Sequence, residues 1–128
     1  DNALLAGKIG NLNLVRVSSI LPPGVQYCPN LEIPPGSLVP TAYGYIVSDT
    51  PGELISAAVG VGFSKDTFGV IMEYSGRCSK EEAEKAIISM LEEAFETRGM
   101  KLEGTRIAST EHRVDKIGCA LAAVPLWY

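Results

Sequence analysis

The sequence predicts an α+β domain in which one long helix covers a largely antiparallel sheet. Apolar residues recur at helical spacing in one long segment, residues 80–98, whereas six other segments show the alternating or compact apolar patterns of strands. About four strands precede this helix and two follow it, an order that differs from the regular βαβ alternation of parallel sheets. We find no repeat and no domain boundary, so we expect a single domain over residues 1–128.

The N-terminal part of the chain combines a short helix, one strand and a long connection. Residues 1–6 are typical of the end of a helix, and a glycine follows them. Residues 12–19 alternate and contain β-branched valines, which predicts a strand. Two Pro-Pro-Gly groups, at 22–24 and 34–36, mark a long irregular connection to the next strand.

Three strands are expected in the middle of the chain. Leu38–Ser48 is rich in valine, tyrosine and threonine, and the turn-forming residues 49–52 follow it. Leu54–Phe63 consists of small apolar residues, which favours a strand packed closely against another layer; its first half is also compatible with a helix. Residues 68–74 form a short and strongly apolar strand.

The last third contains the long helix and two further strands. Ser79 and Glu82 form a capping-box pattern at the start of residues 80–98. Residues 100–114 then predict one strand, with a break at a glycine left open, and residues 119–127 predict the last strand. The helix therefore has one apolar face available to cover the sheet.

Composition excludes several classes of function. The net charge is −4 and no basic stripe is present, which argues against nucleic-acid binding. No apolar run reaches membrane-spanning length. The three cysteines have no paired spacing, so we expect neither a zinc site nor a disulfide framework, no metal, and a reducing, cytoplasmic location. His112 is the single histidine, and it does not suffice to define a Ser/His/Asp hydrolase.

The most informative residues are the adjacent Ser18 and Ser19, which end the first predicted strand five and six residues after Asn13. Alone, such a pair is typical of a solvated strand end. In its context, GNLNLVRVSSILPP at residues 10–23, it is similar to the cleavage region of the pyruvoyl-dependent arginine decarboxylases of archaea. Further segments resemble this family in the same order, so that the resemblance covers the whole chain: residues 38–45, 51–53, 71–74, 78–84 and 126–128.

The resemblance implies a self-processing enzyme. The Ser19 hydroxyl would attack the Ser18 carbonyl, and the chain would separate into residues 1–18 and 19–128 with a covalent pyruvoyl group made from Ser19. The tetrahedral intermediate needs a donor for its oxyanion, and the side-chain amide of Asn13 is our candidate. The fold implied is a four-layer αββα sandwich, assembled as a homotrimer or a dimer of trimers with active sites between subunits.

The same resemblance implies the reaction and its remaining residues. The α-amine of L-arginine would form a Schiff base with the pyruvoyl carbonyl, and agmatine and CO2 would result. Glu73, after an apolar run, is expected to return a proton to the substrate; the alternative is an outward-facing glutamate paired with a neighbouring cation. Asp1 is expected to bind the guanidinium, and Leu4 and Ile20 to line the pocket.

Two other functions remain open at this point. The same cofactor could act on another amino acid, such as ornithine, lysine or aspartate. Alternatively, a chain that keeps its Ser18–Ser19 bond intact could serve as a non-enzymatic, oligomeric binding or scaffold protein. A substrate panel and the cleavage state of the purified protein separate these alternatives.

Overall fold

A computed structural model describes residues 1–18 and 20–127. Most predicted elements are confirmed, Leu38–Ser48 and Leu54–Phe63 with the bounds expected and both as strands throughout. The strand predicted over 12–19 is shorter in the structure: β1 ends at Arg16, and the next strand, which begins at Ile20, belongs to the other sheet. In chain order the elements are α1 (Asn2–Ala6), β1 (Asn13–Arg16), β2 (Ile20–Leu21), β3 (Leu38–Ser48), β4 (Leu54–Phe63), β5 (Gly69–Gly76), α2 (Lys80–Thr97), β6 (Gly104–Arg113) and β7 (Gly118–Pro125).

The strands form two sheets. One has the order β1-β3-β7 and the other has the order β2-β5-β4-β6. The pairing of β1 with β3 is parallel, and the remaining pairings of the described strands are antiparallel. The expected α+β sandwich with largely antiparallel sheets is therefore confirmed.

The helix α2 covers the outer face of the four-stranded sheet. Its residues Ile87, Leu91 and Phe95 are buried in one cluster with residues of β4 and β5. The glycines of β4 permit this close approach, because a Cβ added at Gly60 would lie 2.2 Å from Cγ2 of Ile87. The small apolar residues of β4 thus reflect the packing of a helix directly on the strand.

A second core lies between the two sheets. Ile55, Ala57 and Val59 alternate with the helix-facing residues of β4 and pack against Ala120 and Ala122 of β7. This alternation is the period of two expected for a strand buried on both faces. On the other side of the chain, α1 is a five-residue helix without buried residues that contacts β7.

No metal-binding cluster of histidine, cysteine and acidic side chains occurs among residues 1–18 and 20–127. No helix in the described part of the chain is long and apolar enough to cross a membrane. The three cysteines are free thiols.

Candidate active site

A cleft opens at the edge of the two sheets that carries β1 and β2. Among the described residues, β1 pairs with β3 as far as Thr41 and β2 pairs with β5 at Gly69 and Val70, and the following parts of β3 and β5 face each other at this edge. The cleft has a volume of about 400 Å³, which is within the range of small-molecule sites. It is lined by Arg16, Gly44, Tyr45, Ile46, Val47, Glu73, Tyr74 and Ser75.

The predicted cleavage point lies where the chain passes from one sheet to the other. The Val17 N–H donates to the Thr41 carbonyl of β3 at 3.1 Å, and Ile20 already pairs with Val70 of β5. Ser18 is exposed, whereas Ser19, the predicted source of the cofactor, lies outside the described residues. The crossing explains why the segment 12–19 is not one strand.

The Ser18 carbonyl oxygen already has a hydrogen-bond donor. The backbone N–H of Ile20 donates to it at 3.1 Å. An acyl shift at this carbonyl would place negative charge on the same oxygen, and a fixed donor would stabilise that charge. The sequence could not reveal this donor, because a backbone N–H carries no residue signature.

Glu73 lies on the face of β5 that is turned toward the other sheet. A Cβ added at Gly44 of β3 would be 3.3 Å from the Cβ of Glu73, so the glycine leaves room for the glutamate between the sheets. Its side chain is 27% exposed, and Oε1 accepts a hydrogen bond from Nη2 of Arg16 at 2.9 Å. The cation partner considered for Glu73 is therefore present, and it stands inside the cleft rather than on an outer face.

Arg16 is a site residue that the sequence analysis missed. Its Nη2 also donates to the Tyr43 carbonyl oxygen at 3.1 Å, and its guanidinium lies 4.7 Å from the centre of the Tyr43 ring. The hydrogen bond with Glu73 is the main cause that raises the pKa of Arg16 above its ordinary value. The available signal was its position two residues before Ser18, but its partner in β5 is 57 residues away.

Asn13 occupies the start of β1 and is engaged there. Its side-chain amide donates to the Gly36 carbonyl at 2.8 Å, and its backbone N–H donates to the Ser37 carbonyl at 2.8 Å. A strand rises about 3.3 Å per residue, which puts Val17 roughly 13 Å further along. The structure therefore places the Asn13 amide at the start of β1, on the Gly36 carbonyl, rather than at the Ser18 carbonyl of the same chain.

Asp1 and Leu4 lie at the opposite edge of the sandwich. Asp1 is exposed and precedes α1, which packs on β7, and Leu4 is half-buried. Gly7 and Ile9 then line a second groove with residues of β6 and β7. β6 and β7 end their sheets on the side away from β1 and β2. One chain thus keeps Ile20 beside the cleavage point and Glu73 in the cleft, but it leaves Asp1 and Leu4 on the far side.

Comparison with solved structures identifies the fold. The chain is similar to a pyruvoyl-dependent histidine decarboxylase solved at pH 8, with a TM-score of 0.62 and 17% sequence identity. The match covers 75% of this chain, which spans about half, 53%, of the solved chain. The two facing sheets and their helix therefore have a fold similar to that of this decarboxylase.

Sequence comparison then gives the family. The family model described as pyruvoyl-dependent arginine decarboxylase matches residues 1–128, and the chain belongs to this family. It is 54% identical to a pyruvoyl-dependent arginine decarboxylase of Methanocaldococcus jannaschii, with 100% of this chain and 79% of the relative covered. A relative of the same description from Pyrococcus furiosus is 49% identical, with 99% of this chain and 83% of the relative covered.

Proposed function

We propose that this chain converts L-arginine to agmatine and CO2 with a pyruvoyl group made from its own Ser19. The observation that carries the proposal is the crossing of the chain from one sheet to the other between Val17 and Ile20, beside the cleft that contains Glu73. The arginine specificity rests on the relatives, which are described as arginine decarboxylases at 47% to 54% identity.

Self-cleavage is the first step of this proposal. The Ser19 hydroxyl attacks the Ser18 carbonyl, whose oxygen already accepts the Ile20 N–H at 3.1 Å. The products are residues 1–18 and 19–128, which remain one domain because β1 is paired with β3 over four residues. Asn13 acts as a positioning residue here, since its bond to Gly36 fixes the start of the strand that leads to Ser18.

The residues at the crossing fit the cofactor. β2 would hold the new N-terminal group through its pairing with β5, at the mouth of a cleft of suitable volume. When present, a pyruvoyl group supplies an electron-withdrawing carbonyl that accepts the electrons released with CO2. Ile20 follows this group directly and is 41% exposed, so that its side chain is available to line the pocket.

Glu73 is the proposed proton donor to the substrate Cα. Its carboxylate is the acidic side chain among the residues that line the cleft, and Gly44 leaves it room there. A donor must stand within hydrogen-bond reach of the atom that it protonates, which only a residue inside the cleft satisfies. We expect Glu73→Gln to keep self-cleavage and to lose most of the turnover.

The proposed assembly is a homotrimer or a dimer of trimers. Its support is the placement of Asp1 and Leu4 at one edge of the chain and of Glu73 at the other. A head-to-tail interface joins two different surfaces and closes into a ring, which would bring the Asp1 edge of one copy to the Glu73 cleft of the next. Asp1 would then bind the substrate guanidinium, and Leu4 would line the pocket.

The cleavage proposal is tested by intact-mass spectrometry of the denatured protein. We expect two chains, residues 1–18 and 19–128, and one uncut chain for Ser19→Ala. Ser18→Ala is the matched control: Ser18 contributes only its carbonyl to the chemistry, so this variant should still be cut. An uncut wild-type chain would favour the non-enzymatic alternative, and turnover that survives Ser19→Ala would contradict the pyruvoyl mechanism.

Substrate choice and assembly need separate measurements. CO2 release from arginine, ornithine, lysine and aspartate tests specificity; equal turnover of all four would refute the arginine proposal and keep the mechanism. Mixing Asp1→Ala with Glu73→Gln subunits tests the shared site, because random mixing would restore about a quarter of the sites if they lie between copies.

The free cysteines support the further proposal of a reducing, cytoplasmic location.

A further inference from the structure

We propose that self-cleavage moves Arg16 from Glu73 to the new carboxylate of Ser18 and thereby releases Glu73 into the cleft. The inference rests on the proposed function in one respect, namely that the Ser18–Ser19 bond is cut. It adds a link between the two reactions of the chain: the cut that makes the cofactor would also free the acid that serves it.

In the uncut chain, Arg16 is held at the cleft by three contacts. Nη2 donates to Oε1 of Glu73 at 2.9 Å and to the Tyr43 carbonyl at 3.1 Å, and the guanidinium lies over the Tyr43 ring. The side chain is nevertheless 52% exposed, so a change of partner requires no opening of the core. The charged or titratable groups that act on Arg16 are Glu73, Tyr43 and Tyr45, and Glu73 is the anion among them.

Cleavage creates a second anion close to this guanidinium. The reaction consumes one water overall, the Ser19 nitrogen leaves as ammonium, and the neutral Ser18 carbonyl becomes a carboxylate. In an extended chain, residues i and i+2 lie roughly 7 Å apart, a distance that an arginine side chain spans. The new charge therefore appears on the chain that carries Arg16, within its reach.

The new carboxylate has two advantages over Glu73. It offers two oxygens for a bidentate contact with the planar guanidinium, whereas the bond to Glu73 runs from one nitrogen to one oxygen. It also belongs to the same short chain as Arg16, so the contact does not depend on the spacing of the two sheets. We therefore expect the guanidinium to move to the cut end.

The exchange has a consequence for the proposed acid. A general acid must stand within hydrogen-bond reach of the atom that it protonates. Before cleavage, Arg16 occupies Oε1 of Glu73 at 2.9 Å and would keep this carboxyl group from facing the substrate. Afterwards, the carboxyl group of Glu73 would be free to turn toward the substrate.

Carboxyl labelling tests this exchange without measuring activity. The whole assembled protein is treated with a water-soluble carbodiimide and glycinamide in the absence of substrate, and peptide mass mapping gives the labelling rate of each carboxyl group. We expect Glu73 to be labelled several-fold faster in the cleaved wild type than in uncut Ser19→Ala. Glu53 is the matched control, because its Oε1 lies 3.0 Å from Nε of Arg77 in an ion pair that is remote from the cleavage point. The labelling rate of Glu53 should therefore not change.

Arginine variants show whether Arg16 is the protecting group. In the Ser19→Ala background, Arg16→Gln should raise the labelling of Glu73 to the rate of the cleaved protein, and Arg77→Gln should raise only that of Glu53. Arg16→Lys keeps the charge but loses the planar fork, so it should give an intermediate rate. In the cleaved wild type, the Ser18 carboxylate should be labelled slowly.

The possible outcomes are distinct. Equal labelling of Glu73 in the cut and uncut proteins, together with rapid labelling of the Ser18 carboxylate, would show that Arg16 stays with Glu73 and would overturn the exchange. Unchanged labelling in uncut Arg16→Gln would overturn the protective role of Arg16. A wild-type chain that remains uncut is visible by intact mass before labelling, and that result refutes the proposed function instead.

Discussion

The contact between β4 and α2 predicts a measurable conflict when a single methyl group is added. A Cβ at Gly60 would lie 2.2 Å from Cγ2 of Ile87 and 3.2 Å from Cδ1 of Leu91. Carbon atoms attract one another best at about 3.5–4.0 Å, so Gly60→Ala forces the helix or its side chains to move. Overpacking of this kind costs about 1–3 kcal/mol of the free energy of unfolding.

The partner substitution gives the prediction its second half. Ile87 is fully buried, and Ile87→Ala removes the contacted methyl at a cost of about 2–5 kcal/mol. In the double variant the alanine methyl at position 60 partly fills the vacated space. We therefore expect the loss of unfolding free energy in the double variant to be smaller than the sum of the two single losses, by about 1–2 kcal/mol.

The assay is urea unfolding in the Ser19→Ala background, which keeps each subunit as one uncut chain, with all variants compared at the same protein concentration because the unfolding of an assembly depends on it. Gly7→Ala is the control, because its nearest neighbour would be the Ala3 carbonyl oxygen at 3.5 Å, an ordinary contact. Its free energy of unfolding should change by less than about 0.5 kcal/mol. Strictly additive costs for Gly60→Ala and Ile87→Ala, or no cost for Gly60→Ala alone, would refute the close packing of α2 on β4.

Three further predictions concern stability outside the cleft. Ser79→Ala removes the acceptor of the Glu82 N–H at the start of α2 and should lower the free energy of unfolding by about 1 kcal/mol in the same assay. A hydrogen bond from the Ser48 hydroxyl, with a smaller contribution from an arginine, lowers the pKa of Glu53 below its ordinary value of 4.5. The resulting stabilisation is present above this pH and is lost as pH falls through the pKa of the folded protein, so Tm should fall less steeply with acid in Ser48→Ala. Tyr27→Ala removes the ring under an arginine of β6 at 3.8 Å and should speed proteolysis of the connection between β2 and β3, whereas unchanged digestion would refute this role.

Local signals made the long helix and two strands predictable. The Ser79 hydroxyl does accept the Glu82 N–H, as the capping pattern predicted, and the apolar stripe of α2 faces the sheet. β3 and β4 have the predicted bounds because turn residues end both segments. In each case the decisive information lies within a few neighbouring residues of the sequence.

Long-range pairing explains what the sequence analysis missed. Residues 12–19 have the local pattern of one strand, and nothing local shows that Val17 bonds to β3 while Ile20 pairs with β5. The same reason hides the contact of Arg16 with Glu73, because the register of two sheets brings them together. The distance of Asp1 from the cleft likewise follows from strand order rather than from spacing along the chain.

The parallel pairing of β1 with β3 has a consequence for the lifetime of a cut molecule. If the proposed cleavage occurs, non-covalent contacts alone would retain the piece that ends at Ser18, and the ladder of β1 spans four residues of β3. Complete unfolding would let the piece diffuse away, and its return would depend on concentration. The piece that follows the cut would no longer begin with an amine, so the original bond could not re-form. After maturation, the lifetime of the folded enzyme would thus be set by its unfolding rate rather than by a folding equilibrium. A molecule that had lost its N-terminal piece would not regain the uncut state.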